Sequence, residues 1–121
     1  MTSTPTKDAD KLICLIYKDY LEKRKLGILK AKAKNLVSVE KIHQDLVPNE
    51  QFEDVAETCR ELSRLNLINC MLADNIIYHV ELSDSGIAYM EGRFKNGLGE
   101  VIDYLSKVFG LIVPLVSIKS P

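Results

Sequence analysis

Apolar residues recur at helical spacing over the first part of the chain. Leu12, Ile13, Ile16, Tyr17 and Tyr20 form one stripe, and Leu15 and Leu21 widen it. A helix is expected from about Lys7, ended by Gly27 or by the turn just after it. Residues 28–37 read two ways. Ala, Leu and Lys there suit a helical turn, while Leu36 and Val37 suit a short edge strand. Ser38 then reads as an N-cap, followed by Val39, Ile42 and Leu46 at i, i+3 and i+7 in a second helix of about two turns. Pro48 breaks the chain, because the residue before a proline is pushed out of the helical region. Asn49 caps a third helix running to about Leu65, with Phe52, Val55, Ala56, Cys59 and Leu62 on its buried face.

The pattern then shortens to period two. Ile68–Leu72 and Ile76–Leu82 are rich in β-branched and aromatic residues and are expected to pair as a hairpin. A three-residue loop, Ala73-Asp74-Asn75, sets Leu72 opposite Ile76, Cys70 opposite Tyr78 and Ile68 opposite Val80, which keeps one face apolar throughout. Asn75 takes the left-handed position in that loop, and His79 and Asn69 share the outer face. A last helix is expected from an N-cap at Ser83, with Ile87, Met90 and Phe94 inward and a break around Asn96–Gly99. Beyond the break, Leu98, Val101, Ile102, Leu105, Val108 and Phe109 restore a helical stripe. Residues 108–118 are the most apolar stretch of the chain.

The order helix, helix, helix, hairpin, helix has a short turn between the second and third helices and two strands after them. In this it resembles the winged-helix superfamily. The segment Leu82-Ser83-Asp84-Ser85-Gly86-Ile87-Ala88-Tyr89-Met90 is similar to the L-[ST]-x-x-G-x-x-[YL]-[LM] pattern that closes the wing in many bacterial winged-helix proteins, those of the MarR and PadR types among them. Overall the chain resembles small bacterial or phage-type winged-helix proteins. The resemblance implies an α+β, mostly α fold: three helices and a β-hairpin wing, with an additional C-terminal helix. The chain is expected to divide into a disordered polar tail (1–6), a winged-helix domain (7–95) and a C-terminal apolar helix and tail (96–121). The resemblance also implies DNA binding or transcription regulation, with the third helix in the major groove and the wing touching the backbone or the minor groove.

Charge changes that picture. Over its 121 residues the chain carries 16 bases and 17 acids, a net charge of −1, which excludes a uniformly basic coat. The charges are segregated. Residues 1–41 carry a net +5, residues 42–91 a net −8, and residues 92–121 a net +2. If DNA is bound, Lys30, Lys32, Lys34 and Lys41 are the expected phosphate contacts, with Arg60 and Arg64 assisting. The outer face of the third helix carries Glu50, Glu53, Asp54, Glu57 and Glu61 against one base, Arg60, over the same span. Such a face repels phosphates, so the alternative is a protein-interaction module that uses it for contact. A head-to-tail contact between the basic segment of one copy and this acidic helix of another is a minor expectation. Homodimerisation is expected through Leu98, Val101, Ile102, Leu105, Val108 and Phe109, ahead of packing back on the domain and of a membrane-surface role.

Chemistry adds little. No nucleophile motif, phosphate loop or paired metal spacing occurs, so a non-enzymatic protein without cofactor or metal is expected. Cys14, Cys59 and Cys70 sit among apolar neighbours and read as reduced core thiols. The polar opening from Met1 to Asp10 lacks a secretory pattern, and no run of 18 apolar residues exists. A cytoplasmic protein with no membrane span is the expectation.

Overall fold

A computed structural model describes residues 4–112. In chain order these form α1 (Lys7–Lys25), α2 (Lys30–Lys34), β1 (Asn35–Val37), α3 (Val39–Leu46), α4 (Phe52–Arg64), β2 (Ile68–Ala73), β3 (Ile76–Leu82), α5 (Asp84–Arg93) and α6 (Leu98–Phe109). The fold is α+β, with helices around one small antiparallel sheet of strand order β1-β3-β2.

Helix α1 is the central element. Leu12 through Lys18 are all buried, because α2, α3, α4, α5 and α6 all pack on it. Thr6 caps it, accepting a hydrogen bond from the Ala9 amide, and is itself held by Glu61, which accepts from the Thr6 amide and hydroxyl at 2.8 Å each. The polar tail therefore meets the domain at Thr6. After Gly27, which takes a φ of 85°, both readings of residues 28–37 hold in succession. One helical turn is followed by a strand that pairs with β3. The sheet thus has three strands rather than the two of a bare hairpin. Ser38 caps α3 as expected, accepting from the Lys41 amide.

Three expectations are corrected. Helix α4 starts at Phe52 with Gln51 at the cap and no capping side chain, so Asn49 and Glu50 lie outside it. Phe52 is only partly buried, whereas Val55, Ala56, Cys59 and Leu62 are buried as expected. The hairpin register differs as well. Ala73 faces Ile76 across a two-residue turn, in which Asp74 and Asn75 have φ of 53° and 66°. Two consecutive left-handed residues make the turn whose twist matches that of paired strands. One step in, the register shifts: Leu72 faces Ile77 but Met71 faces His79, and Tyr78 is left as the extra residue of a bulge. The bulge turns both Ile77 and Val80 inward and sends Ile76 and Tyr78 out to solvent.

The far end of β3 explains the motif Leu82-Ser83-x-x-Gly86. The Ser83 hydroxyl donates to the Asn66 carbonyl at 2.7 Å and accepts from the Gly86 amide at 2.8 Å. A Cβ on Gly86 would lie 2.1 Å from the Leu67 carbonyl oxygen, so only glycine lets α5 approach the α4–β2 junction this closely. Helix α5 ends at Arg93. The chain breaks through Phe94–Gly97, and α6 runs back along α1 until Gly110 closes it in a left-handed conformation.

Candidate interaction surface

Each base expected to contact phosphate can be located. Lys30 and Lys32 are exposed on α2, and neither makes an ion pair among the described residues. Lys34 is different: its ammonium lies 3.0 Å from Asp84 at the start of α5, with 19 % of its side chain exposed. That hydrogen bond raises the Lys34 pKa, while the Lys34 bond and charge, with the charge of Lys30, lower that of Asp84. Lys41 pairs with Asp45 at 3.2 Å, and Arg60 and Arg64 reach Glu57 at 3.5 and 3.9 Å. The six bases do not form one patch. Helix α2 neighbours α1 and β1, whereas α4 packs on α1, α3 and β2.

The acids divide in the same way. Glu50 bridges to Lys11 at 2.5 Å, and Glu61 holds Thr6. Glu53, Asp54 and Glu57 are left exposed on α4. Beside them lies a groove of about 250 Å³ between α3, α4 and β3. Glu40, Glu53 and Arg60 line it with Phe52, Ile76 and Ile77. Along the hairpin Met71, Leu72, Ile76 and Tyr78 are each exposed, between 43 % and 68 %. Asp74 at the tip is the nearest charge in sequence, and the hairpin carries no lysine or arginine. The sequence pattern had placed Leu72, Ile76 and Tyr78 on the buried face. The bulge that exposes them has no signature in an alternating run.

A second surface gathers at the corner after α1. Leu26 and Leu29 are 56 % and 70 % exposed there, with Arg24, Lys25, Lys30 and Lys32 around them. Gly27 makes the turn between the two leucines, and Arg24 holds it by donating to the Ile28 carbonyl at 3.0 Å.

The expected dimer helix is partly consumed inside the chain. Val101 and Leu105 have no exposed surface and face α1. Leu98, Ile102 and Phe109 are partly buried, and of the six only Val108 is exposed. The contact is tightened by a polar cluster. Arg93 of α5 donates twice to Asp10 of α1, at 2.5 and 3.0 Å, and the Tyr104 hydroxyl of α6 donates to the same carboxylate at 2.5 Å. The guanidinium also lies 4.9 Å from the Phe94 ring centre and 4.7 Å from that of Tyr104. Burial pushes the Asp10 carboxyl up, but the hydrogen bonds from Arg93 and Tyr104, with the Arg93 charge, outweigh it and hold Asp10 below its ordinary value. Nothing in the one-dimensional pattern brings residues 10, 93 and 104 together. Residues 113–118 of the apolar C-terminal stretch lie outside the described residues.

Burial disfavours the thiolate at all three cysteines. Burial pushes Cys14 and Cys59 up to about 12, and also raises Cys70. The ring of His43 lies 2.7 Å from the Glu50 carbonyl, at the turn into α4. Among the described residues no three His, Cys, Asp or Glu side chains converge in a metal-holding group, and no helix is long and apolar enough to cross a membrane. Set against known proteins, the chain matches no family model, no curated relative and no solved structure.

Proposed function

We propose that this is a non-enzymatic winged-helix protein whose α4 and hairpin face binds protein rather than DNA. The winged-helix part of this reading is supported by the order α1, β1, α3, α4, β2, β3, with β1 laid antiparallel on β3. In that frame α3 and α4 form the helix-turn-helix pair and Asp74-Asn75 is the wing tip.

One observation carries the choice of partner. The surface that a DNA-binding winged helix turns to the duplex is here acidic on α4 and apolar on the hairpin. Glu53, Asp54 and Glu57 would face phosphates spaced about 1.7 Å apart along the axis, and no lysine or arginine stands on the wing. Arg60 and Arg64 are drawn to Glu57. Exposed apolar side chains rimmed by charge are the usual composition of a protein contact.

DNA binding through the other end of the sheet is the second reading, favoured by the exposed Lys30 and Lys32, which make no ion pair among the described residues. A mobility-shift titration on random duplex, scanned over salt, separates the two. No retarded species at low salt is the expected result. A shift that weakens steeply as salt rises would overturn the protein-binding reading. In that case Lys30→Gln/Lys32→Gln would lower the salt slope by about two phosphates' worth, ~0.9 each.

A further inference from the structure

The two exposed surfaces complement each other in both chemistry and charge. On the hairpin side, Ile76 opens onto the groove lined by Glu40, Glu53 and Arg60, Met71, Leu72 and Tyr78 are exposed further along the hairpin, and Asp54 and Glu57 are exposed on α4. At the α1–α2 corner, Leu26 and Leu29 are bordered by Arg24, Lys25, Lys30 and Lys32. An apolar centre with an acidic rim thus has an apolar centre with a basic rim as its counterpart in the same chain.

The two cannot meet within one molecule. Lys34 is tied to Asp84, and Asn35 faces Glu81, which fixes the basic corner beside the C-terminal end of β3. Ile76 is the first residue of that strand. Five residues at about 3.3 Å each separate Ile76 from Glu81, roughly 17 Å along a rigid strand.

We propose that the occupant of the hairpin and α4 face is the α1–α2 corner of a second copy of this chain, in a head-to-tail contact. It rests on the protein-binding reading above and names the partner. Because the two patches differ, the contact is heterologous and does not end at a dimer. Each added copy presents a fresh acidic face at one end and a fresh basic corner at the other, which builds a ring or an open filament. The charged rims steer and align the copies, and are screened within about 8–10 Å at physiological salt.

Sedimentation equilibrium of the wild-type chain tests this without any substitution. At about 50 mM salt, where the screening length is long, the average mass rises with concentration to more than twofold above the 13.6 kDa monomer. It falls back toward that value at roughly 1 M salt, where screening reaches about 3 Å. Two charge-reversal variants then identify the surfaces: Glu53→Lys/Glu57→Lys on α4, and Lys30→Glu/Lys32→Glu on α2. All four side chains are exposed, and thermal melts confirm that each variant folds. Each variant alone stays at monomer mass, because like rims now face each other. An equimolar mixture regains the twofold or larger increase, because each reversed face finds an opposite one on the other variant. A wild-type chain that stays monomeric at low salt overturns the proposal. So does association unchanged by salt, association of either variant alone at the wild-type level, or a mixture that fails to recover. A monomer that also leaves duplex unshifted removes the second copy as partner and keeps the protein-binding reading. A duplex shift removes that reading itself.

Discussion

At its C-terminal end β3 runs into a fully covered corner. Val80, Leu82 and Ile68 have at most 1 % of their surface exposed, and the Ser83 hydroxyl bridges the Asn66 carbonyl and the Gly86 amide. At its N-terminal end the same strand shows Ile76 and Tyr78 to solvent, and Met71 and Leu72 of β2 are exposed as well. Both ends read as apolar strand. One commits its side chains to folding, and the other holds them ready for contact. The bulge at Tyr78 divides the two regimes. Between it and Leu82 the alternation serves the core, and before it the face reverses. An apolar pattern therefore identifies strand but does not identify interior, and a single inserted residue decides which side chains become surface.

The largest expected effect breaks the covered end. Gly86→Ala drives a methyl into the Leu67 carbonyl, which is backbone and cannot swing aside. Overpacking of this kind costs about 3 kcal/mol at the upper end of its range. For a domain of this size that lowers the melting temperature by about 15 °C. A melt within ~3 °C of wild type would show that α5 does not press on the α4–β2 junction, and the contrast between the two ends of β3 would lose its basis.

The helix stripes and most helix ends were legible because each is written locally. Ser38 and Ser83 stand immediately before apolar periodicity, and both cap as expected. The glycine of the Leu82–Gly86 motif was visible as a residue type, but its reason, a carbonyl 19 residues earlier, was not. The hairpin loop differs from the expected one because strict alternation favours a three-residue loop unless a bulge intervenes, and Tyr78 looks like any strand residue. Among the candidate site residues, Lys34 illustrates the same limit. Its spacing with Lys30 and Lys32 suggests a shared role, yet a partner 50 residues away withdraws it into a structural pair. Glu50 and Glu61 are withdrawn in the same manner by Lys11 and Thr6. Local charge density was readable, whereas which charges remain free is decided by the tertiary fold.

A middle-sized effect sharpens the comparison by extending the covered region to α1 and α6. Asp10→Asn removes the negative charge shared by Arg93 and Tyr104, at a cost of about 2 kcal/mol near neutral pH for a partly buried, multiply bonded pair. The sign of its pH dependence follows from the lowered carboxyl. The folded state releases the Asp10 proton more readily than the unfolded chain, whose value is near 3.9. The contribution is therefore present above about pH 4 and is lost as pH falls through the folded value. Tyr104 adds an alkaline limb. Burial, then its bond to Asp10, raises it to about 12, so its contribution is lost as pH rises from about 10 through that value. Urea melts of wild type and Asp10→Asn across pH should diverge most near pH 7 and begin to converge once the pH falls below about 4. A gap that stays constant into acid would show that the carboxylate charge is not what joins these three helices.

The smallest expected effect tests the open end directly. Ile76→Thr and Tyr78→Thr place a residue of high strand propensity at each position while removing most of the apolar surface. Both side chains are mostly solvated, so each change should move stability by less than about 0.5 kcal/mol, measured at high salt where copies are apart. Ile77→Thr is the internal control. It differs by one position along the same strand, but its side chain is 8 % exposed, and it should cost about 2 kcal/mol. The ratio between neighbours matters more than either value. If Tyr78→Thr costs as much as Ile77→Thr, the bulge is not where the register shift puts it, Tyr78 belongs to the core, and the hairpin has no apolar face to offer. If the two separate as expected while Tyr78→Thr also weakens the low-salt association, the solvated end of β3 is apolar because of what it touches outside the molecule.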